Sequence, residues 1–232
     1  MENDVKHKII DEMNEILRSR KNELISNYPL VRDHYQRHYN MPELDPLRHE
    51  VCLCLIFGFN QAAITLTNHL LETFLKLVLI YDHTNKNIDK SKPKNGVKSL
   101  VNDFSEGIAM YNDKDLDFTI NRACTVRLIT KDQKKQLHAF RENFRNAYSH
   151  SDKRKLFGDS EVPVQKLQIE GDTIVTDPES MEKVFDLPIF HGVVQHYHAK
   201  ANAAPYFCYL DGVIRETLLK MFPSINDIRL GK

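Results

Sequence analysis

Apolar residues fall into helical register along most of this chain. Val5, Ile9, Met13, Ile16 and Leu17 recur at the spacing of one helix face, and the same helix extends through Leu24 and Ile25 until Tyr28-Pro29 stops it. That face is expected to pack as a stripe while the charged remainder stays in water. From 31 to 44 the chain is polar and aromatic, with His34 and His38 four residues apart. Asp45-Pro46 restarts a helix, with Asp as N-cap and Pro in the first turn. It reads as one long helix to about Tyr81, the central and most buried element. Gln61, Thr65, Asn68, Glu72 and Lys76 draw a polar stripe along it. Burying such a stripe without partners is costly, so it is expected to face solvent, a subunit interface or a cleft.

Residues 82–96 read as a loop rich in Lys and Asn, with Pro93 inside it and Asn95-Gly96 at its end. Val97, Leu100, Val101, Phe104 and Ile108 then mark a short amphipathic helix, and 113–127 holds another short helical stretch. Thr130-Lys131-Asp132-Gln133 is a capping box that sets the start of the next helix. Along it Leu137, Phe140, Phe144 and Tyr148 form the core face, and His138, Arg141 and Arg145 share the opposite edge. Beyond Gly158 the pattern changes. Val162, Val164 and Leu167-Gln168-Ile169 lead through Glu170-Gly171-Asp172 into Thr173-Ile174-Val175-Thr176, a β-hairpin pattern. Asp177-Pro178 is expected to cap a helix to about Phe185, followed by helices over 189–204 and 205–222. The last has Phe207, Leu210, Ile214, Leu218 and Met221 on one face. The expected organisation is mainly all-α: a helical extension over 1–44, a helical core over 45–158, and a hairpin with helices over 159–232 packed on that core.

A chain of 232 residues with 41% apolar content can bury one well-formed domain with elaborations. Lys+Arg and Asp+Glu both total 32, so no global charge draws it to nucleic acid or membrane. A polyanion would need a local patch. Residues 131–157 supply one, with eight Lys and Arg against three Asp and Glu, although a solvated helix face and loop would look the same. Cys52, Cys54, Cys124 and Cys208 form no CxxC pair, which suits a reducing cytoplasm. No signal peptide is read at the N-terminus, and the apolar run 51–59 is too short to span a bilayer, so a cytoplasmic protein without a membrane partner is expected. The His34/His38 pair and the His191, His196, His198 cluster lack acidic or thiol companions nearby in sequence, so no metal site is assigned. With no P-loop, GxGxxG or GxSxG, no cofactor is expected.

One hexapeptide carries chemistry: Arg145-Asn146-Ala147-Tyr148-Ser149-His150. A guanidinium can hold a phosphate bidentately, and an imidazole can move protons near neutral pH. The segment resembles the R-x4-6-H signature of the HEPN superfamily, including the polar residue after the Arg. Residues 62–76 resemble the long helix that precedes the motif helix in that family, and the similarity covers roughly 47–159. The resemblance implies an all-helical, usually dimeric protein and a metal-independent endoribonuclease acting on RNA. By the same resemblance the setting is a bacterial toxin, stress or phage-defence system, with an antitoxin or regulatory protein as a further partner. His150 would be general base or acid, Arg145 would stabilise charge on the phosphorane, and Asn146 would orient phosphate or His150. Arg141, Glu72, Lys153 and Arg154 are the substrate-binding candidates. Other members keep the fold as a module binding nucleotide, RNA or protein, or as a purely structural dimerisation domain. Five residues span about 140° of an ideal helix. Arg145 and His150 therefore converge only if the helix ends near Ser149 or a second subunit supplies one of them.

Overall fold

The computed structural model describes residues 2–87, 96–146, 148, 162–164, 167–170, 173–176, 180–182 and 188–223. In chain order the helices are α1 (Glu2–Ser19), α2 (Lys21–Gln36), α3 (Asp45–Ile56), α4 (Asn60–Asn87), α5 (Gly96–Tyr111), α6 (Leu116–Thr125), α7 (Lys131–Phe140) and α8 (Pro188–Met221). A π-helical turn, Arg141–Asn146, continues directly from α7. The described part is therefore mostly helical. Val162–Val164 pairs antiparallel with Ser180–Glu182, and Leu167–Glu170 with Thr173–Thr176.

The core is built around α4. Its apolar positions Ile64, Leu70, Leu71, Phe74, Leu75 and Val78 are buried against α3, α5, α6 and α8. α8 returns Ala203, Tyr206, Phe207, Leu210, Ile214 and Leu218 to the same core. By length and composition α4 could cross a membrane, but 61% of its most apolar stretch is buried in this bundle, as a core helix requires. Gly107 lets α5 approach α4 closely: a Cβ there would lie 3.3 Å from the Ile80 carbonyl oxygen.

The helix expected over 45–81 is two helices. Gly58 sits between them at φ +76°, a conformation glycine adopts without steric cost. Its N–H donates to Leu55 O (3.1 Å) and the Phe59 N–H to Cys54 O (2.7 Å). This is the paired hydrogen-bond pattern that closes a helix at a left-handed residue. Nor is Asp45 an N-cap. It is the first helical residue, and its carboxylate accepts from the Tyr39 and Met41 N–H groups, closing the loop before α3.

Two prolines expected at helix ends lie inside helices instead. Pro29 is within α2 and Pro205 within α8, where one helix replaces the two expected over 189–222. The carbonyls each ring deprives of a donor belong to Ile25 and Ala201, both exposed, so water can satisfy them. α4 also runs on to Asn87, into the expected loop, with a Lys86–Asp82 ion pair of 2.7 Å on its last turns. Residues 88–95 lie outside the described residues. In α5 the packed side is Phe104, Gly107 and Tyr111, while Val101 and Ile108 are exposed. Ser180–Glu182, expected in a helix, is extended and bonded to Val162–Val164. So short a helix would be marginal unless tertiary packing supported it.

Candidate functional site

The capping box at Thr130 is present: its hydroxyl accepts from the Gln133 N–H (3.1 Å) while Gln133 Oε1 accepts from the Thr130 N–H (2.8 Å). It fixes the phase of α7, and the residues that follow divide by face. Leu137 is fully buried and Phe144 is 6% exposed. The Phe144 ring stacks on Tyr206 at 4.7 Å, and Phe140 packs against Tyr206 and Tyr209. Beyond the π turn, the Tyr148 hydroxyl and His198 Nδ1 are hydrogen-bonded at 2.9 Å. Burial pushes the Tyr148 phenol up to about 12 and the His198 imidazole down. The motif segment is thus fixed to α8 through its aromatic side.

Its other side meets α4 and α6. Arg145, with 30% of its side chain exposed, sets Nη2 3.7 Å from Glu72 Oε2. Glu72 Oε1 accepts from Lys76 Nζ at 3.1 Å. One turn earlier, Arg141 Nη2 lies 3.0 Å from Asp117 Oδ1, and His138 Nδ1 lies 3.5 Å from the same oxygen. Burial lowers the His138 pKa, with Asp117 opposing it. Arg141 Nε is buried and has no partner among the described residues. Guanidiniums of Arg141 and Arg145, Lys76 and the carboxylates of Glu72 and Asp117 therefore line one side of the α4–α6–π-turn junction.

Of the predicted site residues, Arg141, Arg145 and Glu72 are brought to this junction. Asn146 ends the π turn, and its side chain lies outside the described residues. So do His150, Lys153 and Arg154, the expected helix end near Ser149, and the His191 side chain. The π geometry was not foreseen. Such turns are uncommon and frequently accompany functional sites. Within the polar stripe of α4, Asn68 departs from expectation: it is buried, and the Tyr206 hydroxyl donates to its Oδ1 at 2.9 Å. That partner satisfies the amide oxygen alone; Asn68 Nδ2 is buried without a hydrogen-bond partner among the described residues. Among the described residues no group of three His, Cys, Asp or Glu side chains gathers as a metal-ligand set.

A second polar cluster was missed. Asp211 on α8 is 1% exposed and accepts from His34 Nδ1 (2.8 Å), the Tyr39 hydroxyl (2.6 Å) and Arg215 Nε (2.6 Å). Arg48, fully buried, donates to the His34 and Tyr35 carbonyls. Burial by itself would raise the Asp211 carboxyl, but the hydrogen bonds from His34, Arg215 and Tyr39 outweigh it and hold it low. The Asp211 contact raises His34 to about 9, helped by the neighbouring Cys208 thiol. The sequence signal was Asp211 inside the apolar run 206–214; Arg48, beside His49 and Glu50, gave none. His38 does not share a helix face with His34, because α2 ends at Gln36 and Arg37 is extended. The cluster locks α2 and the loop before α3 onto α8.

Neither family models, curated proteins nor solved structures give a match to this chain.

Proposed function

We propose that the chain is a metal-independent endoribonuclease of HEPN type, with Arg145 and His150 as its reacting pair. The observation that carries the reading is the meeting of Arg145 with Glu72. It joins the motif segment to the helix whose sequence resembles the family's preceding helix. Arg145, on the exposed edge away from the Phe144 stack, would bind the scissile phosphate and stabilise charge as the phosphorane forms. His150 would remove the proton from the ribose 2′-OH, whose oxygen attacks phosphorus, and the P–O5′ bond breaks as that oxygen takes up a proton. Arg141, Lys153 and Arg154 would hold flanking phosphates, and Asn146 would orient phosphate or imidazole. A homodimer pairing two motif segments across one cleft, in a bacterial toxin or defence setting, completes the proposal.

End-group analysis of RNA incubated with the protein in excess EDTA tests it. The expected products carry a 2′,3′-cyclic phosphate and a 5′-hydroxyl, and RNA methylated at the scissile 2′-oxygen is bound but uncut. Arg145→Ala and His150→Ala abolish cleavage, and Arg145→Lys recovers little, because a point charge does not replace a planar fork. Finding 5′-phosphate ends, or cleavage that disappears with the chelator, rejects the mechanism. One observation favours a second reading, a non-catalytic module that binds RNA, nucleotide or protein: both Arg141 and Arg145 already face carboxylates. That reading expects RNA binding without cleavage.

A further inference from the structure

Every described side chain of α1, from Val5 to Ser19, is exposed. Its apolar stripe Val5, Ile9, Met13 and Ile16 was expected to pack, yet Ile16 is 64% exposed and the others are at least half exposed. An 18-residue helix is about 27 Å long, and burial of one apolar face is what normally stabilises such a helix. The junction with α2 explains why the stripe is uncovered. Arg20 keeps helical hydrogen bonding running through it: its N–H meets the Ile16 and Leu17 carbonyls, and its carbonyl accepts from the Leu24 N–H at 3.0 Å. α1 therefore runs on from α2 as an arm. Folding it back would require a helix-reversing loop of about 2–5 residues, and Arg20 is a single residue.

Beside the root of that arm, α2, the α3–α4 turn and α8 enclose an open groove of about 460 Å³. Val31, Leu55 and Ala204 contribute its apolar lining, and His196 and Lys200 stand on its α8 wall. Leu30 in the groove, Phe59 next to its lining and Tyr197 beside His196 are large apolar side chains left exposed.

We propose that α1 is an exchanged arm: in a two-fold dimer of this chain, each α1 lays its apolar stripe into the α2–α8 groove of the other copy. The stripe steps four, four and three residues, the anchor spacing of helix-in-groove recognition. The polar edge of the stripe carries Glu12 and Glu15 with Lys8 alongside them, a net charge of −1, and the receiving groove carries Arg20 and Lys200 against Glu23, a net charge of +1 with His neutral. The size of the contact decides against simple α1–α1 pairing. A stable interface uses about 20–30 residues a side. One face of an 18-residue helix falls well short of that, whereas an arm face together with the 13 residues lining a groove reaches it. A lipid surface fits less well, because the polar face mixes Asp11, Glu12 and Glu15 with Lys8 and Arg18, where interfacial helices carry mainly Lys and Arg. The arm exchange is independent of the ribonuclease reading.

Sedimentation of the full chain over a concentration series tests it, with two variants at exposed positions: Ile9→Asp/Met13→Asp in the arm and Leu30→Asp in the groove. Unchanged thermal melting of monomer at low concentration certifies the fold of each. The expected result is a wild-type dimer, each variant weakened in self-association by roughly a hundredfold or more, and recovery of dimer when the two variants are mixed. The mixture regains one intact arm–groove contact, which neither variant has alone. A groove variant that dimerises like wild type would mean that the copies pair arm to arm or through their motif segments, without the groove. That outcome overturns the proposal, as does a monomeric wild type or a mixture that stays monomeric.

Discussion

Arg145 and Glu72 face each other across the junction of the π turn with α4, Nη2 to Oε2 at 3.7 Å, with Lys76 on the other carboxylate oxygen. Glu72 thereby occupies the guanidinium that a phosphate would need. Glu72→Gln removes the competing charge, so RNA binding measured by fluorescence anisotropy should tighten, with a steeper salt dependence. Stability should fall by no more than about 1 kcal/mol, since the pair is partly exposed. Weaker RNA binding by this variant would instead make Glu72 a positioning residue for Arg145.

The division of faces along the motif segment predicts separable effects. Phe144→Ala removes a ring stacked on Tyr206 and tilted against Phe140 and should cost about 3–5 kcal/mol in urea denaturation. Arg145→Ala should cost about 1 kcal/mol or less while eliminating cleavage. Comparable losses of stability for both would show that Arg145 belongs to the packed face.

The His34–Asp211 pair predicts a pH dependence with a definite sign. His34 is raised from about 6.5 to about 9, so the folded state holds its proton more tightly. The stabilisation is complete below about pH 6.5 and is lost as pH rises through about 9. Its size is on the order of 2 kcal/mol after allowance for partial exposure. Urea midpoints measured across this range should decline for wild type, and His34→Gln should remove that decline. Asp211 has the opposite sign. Its contribution is present above the ordinary carboxyl range and is lost as pH falls through its lowered value.

Gly58→Ala tests the break between α3 and α4. At φ +76° an added Cβ is strained, and it would also meet Glu23 Cγ at 3.4 Å. The expected loss is about 1–2 kcal/mol, read as a lower melting temperature. An unchanged melt would mean that the junction relaxes into a continuous helix.

The sequence by itself determined what depends on neighbours along the chain. The capping box at Thr130 and the apolar faces carrying Phe144 and Phe207 follow from spacing and side-chain type. Those are local properties, and local patterns report them. Tertiary structure decided the rest. Pro29 and Pro205 stay inside helices that pack on the core, and the residues whose carbonyls they leave without a donor, Ile25 and Ala201, are exposed. Gly58 ends a helix at a residue that propensity alone would have tolerated. Arg48 and Asp211 are buried because partners at positions 34, 39, 45 and 215 reach them from other turns and elements, and no short window of sequence contains both halves of that cluster. The α1 stripe shows the same limit from the other side. Its pattern states that an apolar face exists, but whether that face is covered depends on whether the chain reverses or runs on at Arg20, which only the folded arrangement decides.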